Sequence, residues 1–217
     1  MKTLVIKDNK NITAAAADCA AALRTPGSVV LIPTETVYGL ACAHGDAAAE
    51  NRIYEMKQRL AEKALAIFVR RAEDLRGIGA PPPPEALKIA GKLCPGRLTI
   101  VFTGQDGVKT GFRIPDHPFA LALLEAFGKP LSCTSANLSG QPAALSVAEA
   151  LSSLASMPDI AVDGGPLPSG SLASTVAELL PGGGFKILRQ GAVTEAVIAA
   201  AAALSDMPAF KNNGSRV

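Results

Sequence analysis

The residues best suited to chemistry here are cations and hydroxyls, set in short groups far apart along the chain. They are Thr34, Thr36 and Tyr38 in one mostly apolar stretch, Lys57 and Arg59, Arg113, the pair Ser135 and Asn137, Ser174, and Arg189. In an extended backbone Lys57 and Arg59 would project to one side, aiming a point charge and a planar fork at one polyphosphate. At a helix C-terminus the same two residues would simply complement the macrodipole, and the pair alone does not separate these readings. Ser135-Ala136-Asn137 follows an apolar segment and precedes Ser139-Gly140, which suits an anion-binding loop and equally an ordinary Asx or Ser turn. Arg113 offers a guanidinium that can bond both oxygens of a carboxylate; the alternative is a surface pair with Asp116. The Thr34 to Tyr38 stretch is either a ligand-facing turn or one whose hydroxyls bond their own backbone.

The elements that must position these groups follow from periodicity and punctuation. Residues 28–32 read as a buried strand that Pro33 ends, because proline donates no ladder hydrogen bond, and residues 37–43 form a second apolar run. Residues 3–7 alternate as a strand, and residues 12–24 form an Ala-rich helix stopped before Pro26-Gly27. Asp46 caps a helix over 47–56, which places Lys57-Gln58-Arg59 at its end. Strands are expected at 64–69, 98–102, 111–114, 130–133, 160–162, 175–179 and 186–189. Helices are expected at 85–93, 119–127, 145–154 and 194–204. The Pro81 to Pro84 run is a connector or a helix approach. Residues 164–171, rich in Gly, Pro and Ser with almost no apolar anchor, read as a mobile loop able to close over a substrate. Alternating strands and helices with a hairpin at 98–114 give an α/β class with a mixed, twisted sheet flanked by helices.

A chain of 217 residues with 48% hydrophobic and 18% charged side chains suits one domain with a sizeable core. The net charge of +2 is too mild for a dedicated polyanion binder. Cys19, Cys42, Cys94 and Cys133 have no C-x-x-C spacing, and His44 and His117 are the only histidines, so no protein-side metal site is expected. The absence of a signal-like or spanning segment points to a cytoplasmic location with reduced thiols. There is no G-x-x-x-x-G-K-[ST], so a nucleotide would be held by another device.

Pro33-Thr34-Glu35-Thr36-Val37-Tyr38-Gly39-Leu40 resembles the signature of the YrdC-like family, the threonylcarbamoyl-AMP synthases. Lys57-Gln58-Arg59, Pro95-Gly96-Arg97-Leu98-Thr99, Arg113 to Pro118, Ser135 to Gly140, Ser174-Thr175-Val176 and Ile187 to Gly191 follow in the family's order. The resemblance implies a single YrdC-like domain over 1–204 with a large concave groove, the short form without a further domain. A tail at 205–217 is expected to fray, having little to bury. The implied activity joins L-threonine, bicarbonate and ATP into threonylcarbamoyl-AMP and pyrophosphate, for threonylcarbamoyladenosine modification of tRNA.

In site terms the resemblance puts Lys57, Arg59, Ser135 and Asn137 at the reacting phosphates, with Lys63 and Arg189 as further ATP contacts. Thr36, Tyr38, Arg113 and Ser174 would hold threonine. Magnesium would be bound through the ATP phosphates, with no metal ligand from protein side chains. The implied partners are a downstream tRNA threonylcarbamoyl transferase complex and, as a weak secondary property, tRNA or double-stranded RNA; no membrane is involved. The alternative is a paralogue of the same fold acting as an RNA-binding module without synthase activity. Leu60, Phe68 and Ala143 stand where the family more often has Pro, His and a nucleotide-touching Ser or Thr. Phe68 puts part of the threonine pocket in question, and Ala143 removes one ATP contact.

Overall fold

The computed structural model describes residues 1–60, 64–75, 78 and 81–203. Lys63 and the 205–217 tail lie outside them. The chain mixes strands and helices along its length. In order it forms β1 (Lys2–Val5), α1 (Asn9–Ala22), β2 (Val30–Ile32), β3 (Gly39–Ala43), α2 (Ala47–Lys57), β4 (Ala66–Phe68), α3 (Pro84–Leu93) and β5 (Leu98–Thr103). The hairpin partner β6 (Lys109–Arg113) follows, then α4 (Pro118–Phe127), β7 (Leu131–Ser135), α5 (Val147–Ser153), β8 (Ile160–Asp163), β9 (Thr175–Leu179), β10 (Phe185–Arg189) and α6 (Glu195–Ala203). One ten-stranded sheet runs β1-β8-β2-β3-β7-β4-β6-β5-β9-β10. It is mixed, as expected: β1 and β2 run parallel to β8, and β4 to β6 and β5 to β9 are also parallel, while the remaining neighbours are antiparallel.

Local chemistry sets the boundaries. Pro33 ends β2, Asp46 caps α2 by accepting from the Ala49 amide, and Pro118 opens α4, where a missing N–H costs nothing. His117 caps that helix, its Nδ1 accepting from the Phe119 amide at 3.2 Å.

The two faces of the sheet are covered unequally. On one face α2 and α5 bury Leu31, Leu40 and Ala161, and α3 and α6 bury Ile67, Ile100, Phe112 and Ala177. On the other, α1 and α4 bury Val30, Ile32, Ala41, Phe68, Leu131 and Cys133. The register carries that second face onward: Phe68 is opposite Arg113, Gly111 opposite Val101, and Thr99 opposite Val176. Since alternate residues share a face, Arg113, Gly111, Thr99, Val101 and Val176 continue the α1/α4 face beyond its helices. Among the described residues no helix covers this half.

Candidate active site

The uncovered half of the sheet floors a cavity of about 340 Å³. Its walls include Thr36, Arg59, Phe68, Thr99, Arg113, Ser135, Ser174 and Arg189, which come from segments spread over most of the chain. A larger hollow of about 600 Å³ lies at the far end of β5, β9 and β10 and holds none of the candidate residues.

Arg113, at the end of β6, is 4% exposed and already engaged on several sides. Its Nε donates to the Gly96 carbonyl at 3.1 Å, Nη1 to Thr36 Oγ1 at 3.0 Å and Nη2 to Glu35 Oε1 at 2.7 Å. The Phe68 ring lies beneath the guanidinium, 5.5 Å from centroid to carbon. Three of the five N–H donors of an arginine are thus used, and two remain for the cavity. The anionic partner is Glu35, which also accepts from the Asp116 amide at 2.9 Å; the expected alternative, an Arg113–Asp116 pair, is not what forms. Phe68 supplies no hydrogen bond, but it gives Arg113 a flat apolar seat.

The Thr34 to Tyr38 stretch satisfies both sequence readings, at different residues. Thr34 Oγ1 donates its single proton to the Val37 carbonyl at 2.7 Å and accepts from the Thr36 and Val37 amides, both at 3.2 Å. It is the backbone-bonding turn residue. Thr36 Oγ1 lies 2.8 Å from Thr34 Oγ1, and because Thr34 has no second proton, Thr36 is the donor. Thr36 therefore faces the cavity as an acceptor only. Tyr38 lies apart from the main cavity, lining a small adjoining hollow with Thr36, Arg113 and Ser135. Wholly buried, it accepts from the Gly164 amide at 3.0 Å and donates to the Gly165 carbonyl at 2.7 Å, so its phenol holds the following loop and does not line the main cavity. The hydroxyl is spent on two backbone groups, and burial raises its pKa to about 12.

The same contacts correct the picture of the 164–171 loop. Leu167 packs on the α2/α5 core and its amide donates to the Leu145 carbonyl at 2.8 Å, so the first half is anchored.

Lys57 and Arg59 are separated by Gln58, which has a left-handed backbone with φ 48° and is the C-cap of α2. The segment is not extended, and the two cations go to different places. Lys57 turns inward, 1% exposed, its Nζ donating to the Ser135 carbonyl and, at 2.6 Å, to the Asn137 carbonyl. Its own carbonyl accepts from the Ser139 amide at 2.9 Å. Lys57 thus clasps the Ser135–Asn137 loop from behind. Burial, and then nearby Arg59, lowers its pKa to about 7. Arg59 lines the cavity and donates to the Ala64 carbonyl at 3.1 Å.

Ser135, the last residue of β7, is only partly buried and lines the cavity. Asn137 is 6% exposed; its Nδ2 donates to the Leu138 and Gln141 carbonyls at 2.8 and 2.7 Å. Its Oδ1 has no partner among the described residues.

Ser174 and Arg189 meet on the opposite wall. Arg189 donates through Nε and Nη2 to the Ser174 carbonyl at 3.1 and 2.8 Å and through Nη2 to Ser174 Oγ at 3.1 Å. Ser174 Oγ is also 2.9 Å from Thr99 Oγ1. Burial, then the positive charge of Arg113 and Arg59, pulls the Arg189 guanidinium below its usual value. An incoming anion reverses that cost. At the outer margin Glu178 takes Lys109 at 2.6 Å and Lys186 at 2.9 Å, and these bonds hold its carboxyl below the ordinary range.

Sequence reasoning passed over Thr34, Thr99 and Thr175 as tethers. Thr175 Oγ1 donates to the Val193 carbonyl at 2.7 Å and accepts from the Gly191 amide at 3.0 Å, tying the exit of β10 to β9. A Cβ at Gly191 would overlap backbone atoms of Ala173, Ser174 and Thr175, so only glycine permits the approach that seats Arg189 on Ser174. The family motifs contained both residues, but threonine in a strand gives no sign of bonding a distant loop.

The chain matches the family model described as "Telomere recombination", Sua5_yciO_yrdC, over residues 22–191. It is 39% identical over 184 residues to a mouse threonylcarbamoyl-AMP synthase, covering 78% of this chain and 64% of the relative. It is 33% identical over 188 residues to the Alkalilimnicola ehrlichii protein of the same name, covering 82% and 89%. Among solved structures it is similar to Pyrococcus abyssi Sua5 complexed with L-threonine, with a TM-score of 0.77, 30% identity and coverage of 92% of this chain and 60% of that one. It is also similar to Escherichia coli YciO, with a TM-score of 0.71, 26% identity and coverage of 88% and 93%. The chain therefore spans less than two thirds of the mouse and P. abyssi proteins.

Proposed function

This chain belongs to the Sua5–YciO–YrdC family, and from that premise we propose that it makes threonylcarbamoyl-AMP and pyrophosphate from L-threonine, bicarbonate and ATP. The observation that carries the reading is a cavity with a cation-rich wall and no positioned nucleophile. Its positive charge comes from Arg113, Arg189 and Arg59, which line it together with the hydroxyls of Ser135 and Ser174. A P. abyssi relative of this fold was solved with L-threonine, which suits a site offering a seated arginine beside an acceptor hydroxyl.

The chain's groups fit the reaction without proton-transfer machinery. The two remaining N–H donors of Arg113 take the threonine carboxylate, and Thr36 Oγ1, having no proton to give, accepts from the amino or hydroxyl end. Threonine's amine and bicarbonate condense to a carbamate with loss of water. A carbamate oxygen attacks the α-phosphate, and pyrophosphate leaves. Positioning and charge neutralisation carry such a displacement, and Arg59 and Arg189 supply the charge. The Ser135–Asn137 loop, held by Lys57, frames the phosphates. Magnesium, when bound, would be held through the ATP phosphates and not by protein side chains, and would supply further charge neutralisation there. The unpartnered Asn137 Oδ1 is an acceptor suited to a water of that ion. The product, an activated carbamoyl adenylate, then serves a transferase acting on tRNA.

The test is to incubate purified protein with ATP, bicarbonate and radiolabelled threonine, following a labelled adenylate and released pyrophosphate. Both should appear only when all three substrates are present. Pyrophosphate release independent of threonine, or no labelled adenylate, overturns the reading.

A further inference from the structure

We propose that Glu35 is a positioning residue for substrate recognition, acting through Arg113 to hold the guanidinium in the orientation that presents its last two N–H donors to the cavity. This rests on the synthase reading and adds to it a carboxylate that touches no substrate.

The geometry is specific. Glu35 lies in the turn after β2 and Arg113 at the end of β6, 78 residues later, yet they meet at 2.7 Å with side chains only 12% and 5% exposed. The same oxygen, Oε1, accepts from the Asp116 amide at 2.9 Å, so one atom ties the turn to the chain leaving β6. Gly96 and Thr36 hold two other edges of the guanidinium, and the Phe68 ring blocks one face. Glu35 completes this set of restraints. It is also the acidic partner of Arg113, which without it would carry an unbalanced buried charge on the same cavity wall as Arg189. Its other oxygen, Oε2, is buried with no partner among the described residues. A guanidinium fixed before the ligand arrives loses less freedom on binding, so the gain should appear in threonine affinity.

The experiment is a double-mutant cycle of wild type, Glu35→Gln, Arg113→Lys and the combined variant. For each, KM for threonine, KM for ATP, kcat and the thermal midpoint are measured. Glu35→Gln keeps an acceptor for the Asp116 amide but removes the charge. It should raise KM for threonine about tenfold, the scale of weakening one charge-assisted bond, with KM for ATP within about twofold of wild type. The combined variant should be no worse toward threonine than Arg113→Lys alone, because Glu35 then has no guanidinium to aim. Additive penalties, or equal increases in both KM values, overturn the proposal. If Glu35→Gln does not fold, Glu35→Asp replaces it: the charge is kept but drawn back by one methylene, an intermediate threonine KM supports the role, and a wild-type KM overturns it. Wild-type protein that forms no threonylcarbamoyl-AMP defeats the synthase reading before any variant is compared. An active wild type with an unaffected Glu35→Gln defeats only the role of Glu35.

Discussion

Lys57 shows how far a side chain's role can lie from its charge. Its ammonium braces a loop from inside the protein, where a pKa near 7 makes it neutral over part of the ordinary pH range. Folding therefore lowers its pKa from the ordinary 10.5, and between about 7 and 10.5 the unfolded chain binds more protons than the folded one. From this group, stability should rise with pH across that window and show no slope below it. Thermal melts from pH 7 to 10 check the sign, and Lys57→Met should flatten the rise while costing about 1–3 kcal/mol for the two carbonyls left without a donor. Arg113→Lys is expected to weaken threonine binding roughly tenfold to a hundredfold in calorimetry, since an ammonium cannot replace a fork already bonded to Gly96, Thr36 and Glu35. Wild-type affinity in that variant would remove Arg113 from the carboxylate. At this scale the sequence was half legible. The residue types of the cavity could be named from motifs, but Lys57 looked like a ligand cation because only tertiary packing buries it. The partner of Arg113 was hidden because Glu35 is remote in sequence and Asp116 is near.

The elements read more clearly, because their ends are written in residues with one physical effect each. Pro33 stops a strand, Asp46 and Pro118 start helices, and the expected cores of these elements recur with boundaries moved by a few residues. Gln58 was not legible, since a left-handed backbone usually calls for Gly. Gln58→Gly should therefore stabilise the fold by about 1 kcal/mol, read as a higher urea midpoint at unchanged slope. The loop after β8 was misjudged for a different reason. Its composition shows hinges and stiff segments, but its anchor, the Tyr38 hydroxyl, belongs to another element. Tyr38→Phe should release Gly164 and Gly165, seen as faster hydrogen exchange at 164–167 in the empty protein. In wild type, added threonine and ATP should protect residues 168–174 and leave 164–167 unchanged. Closure limited to the second half still lets the segment next to Ser174 shield a carbamate from water.

At the scale of the whole molecule, the mixed sheet was foreseeable from alternating elements and one hairpin, but its strand order was not, because pairing across long separations leaves no periodic trace. β1 pairs with β8 and β5 with β9, joining Lys2 to Ile160 and Leu98 to Thr175. Leaving one half of a face without helices is likewise a property of the assembled sheet. It yields a further expectation: a chain stopped after residue 170 keeps Lys57, Arg59 and Arg113 but lacks the wall bearing Ser174 and Arg189. Such a fragment should show no measurable ATP binding by calorimetry, even where circular dichroism reports helix and strand. Binding equal to that of the full chain would place the phosphates elsewhere. The pairing of β5 with β9 also bears on synthesis at the ribosome. The first wall of the cavity leaves the exit tunnel long before the second, and non-local pairing is slow to form. A nascent chain thus passes most of its emergence without a complete cavity, whose second wall arrives only with β9 and β10.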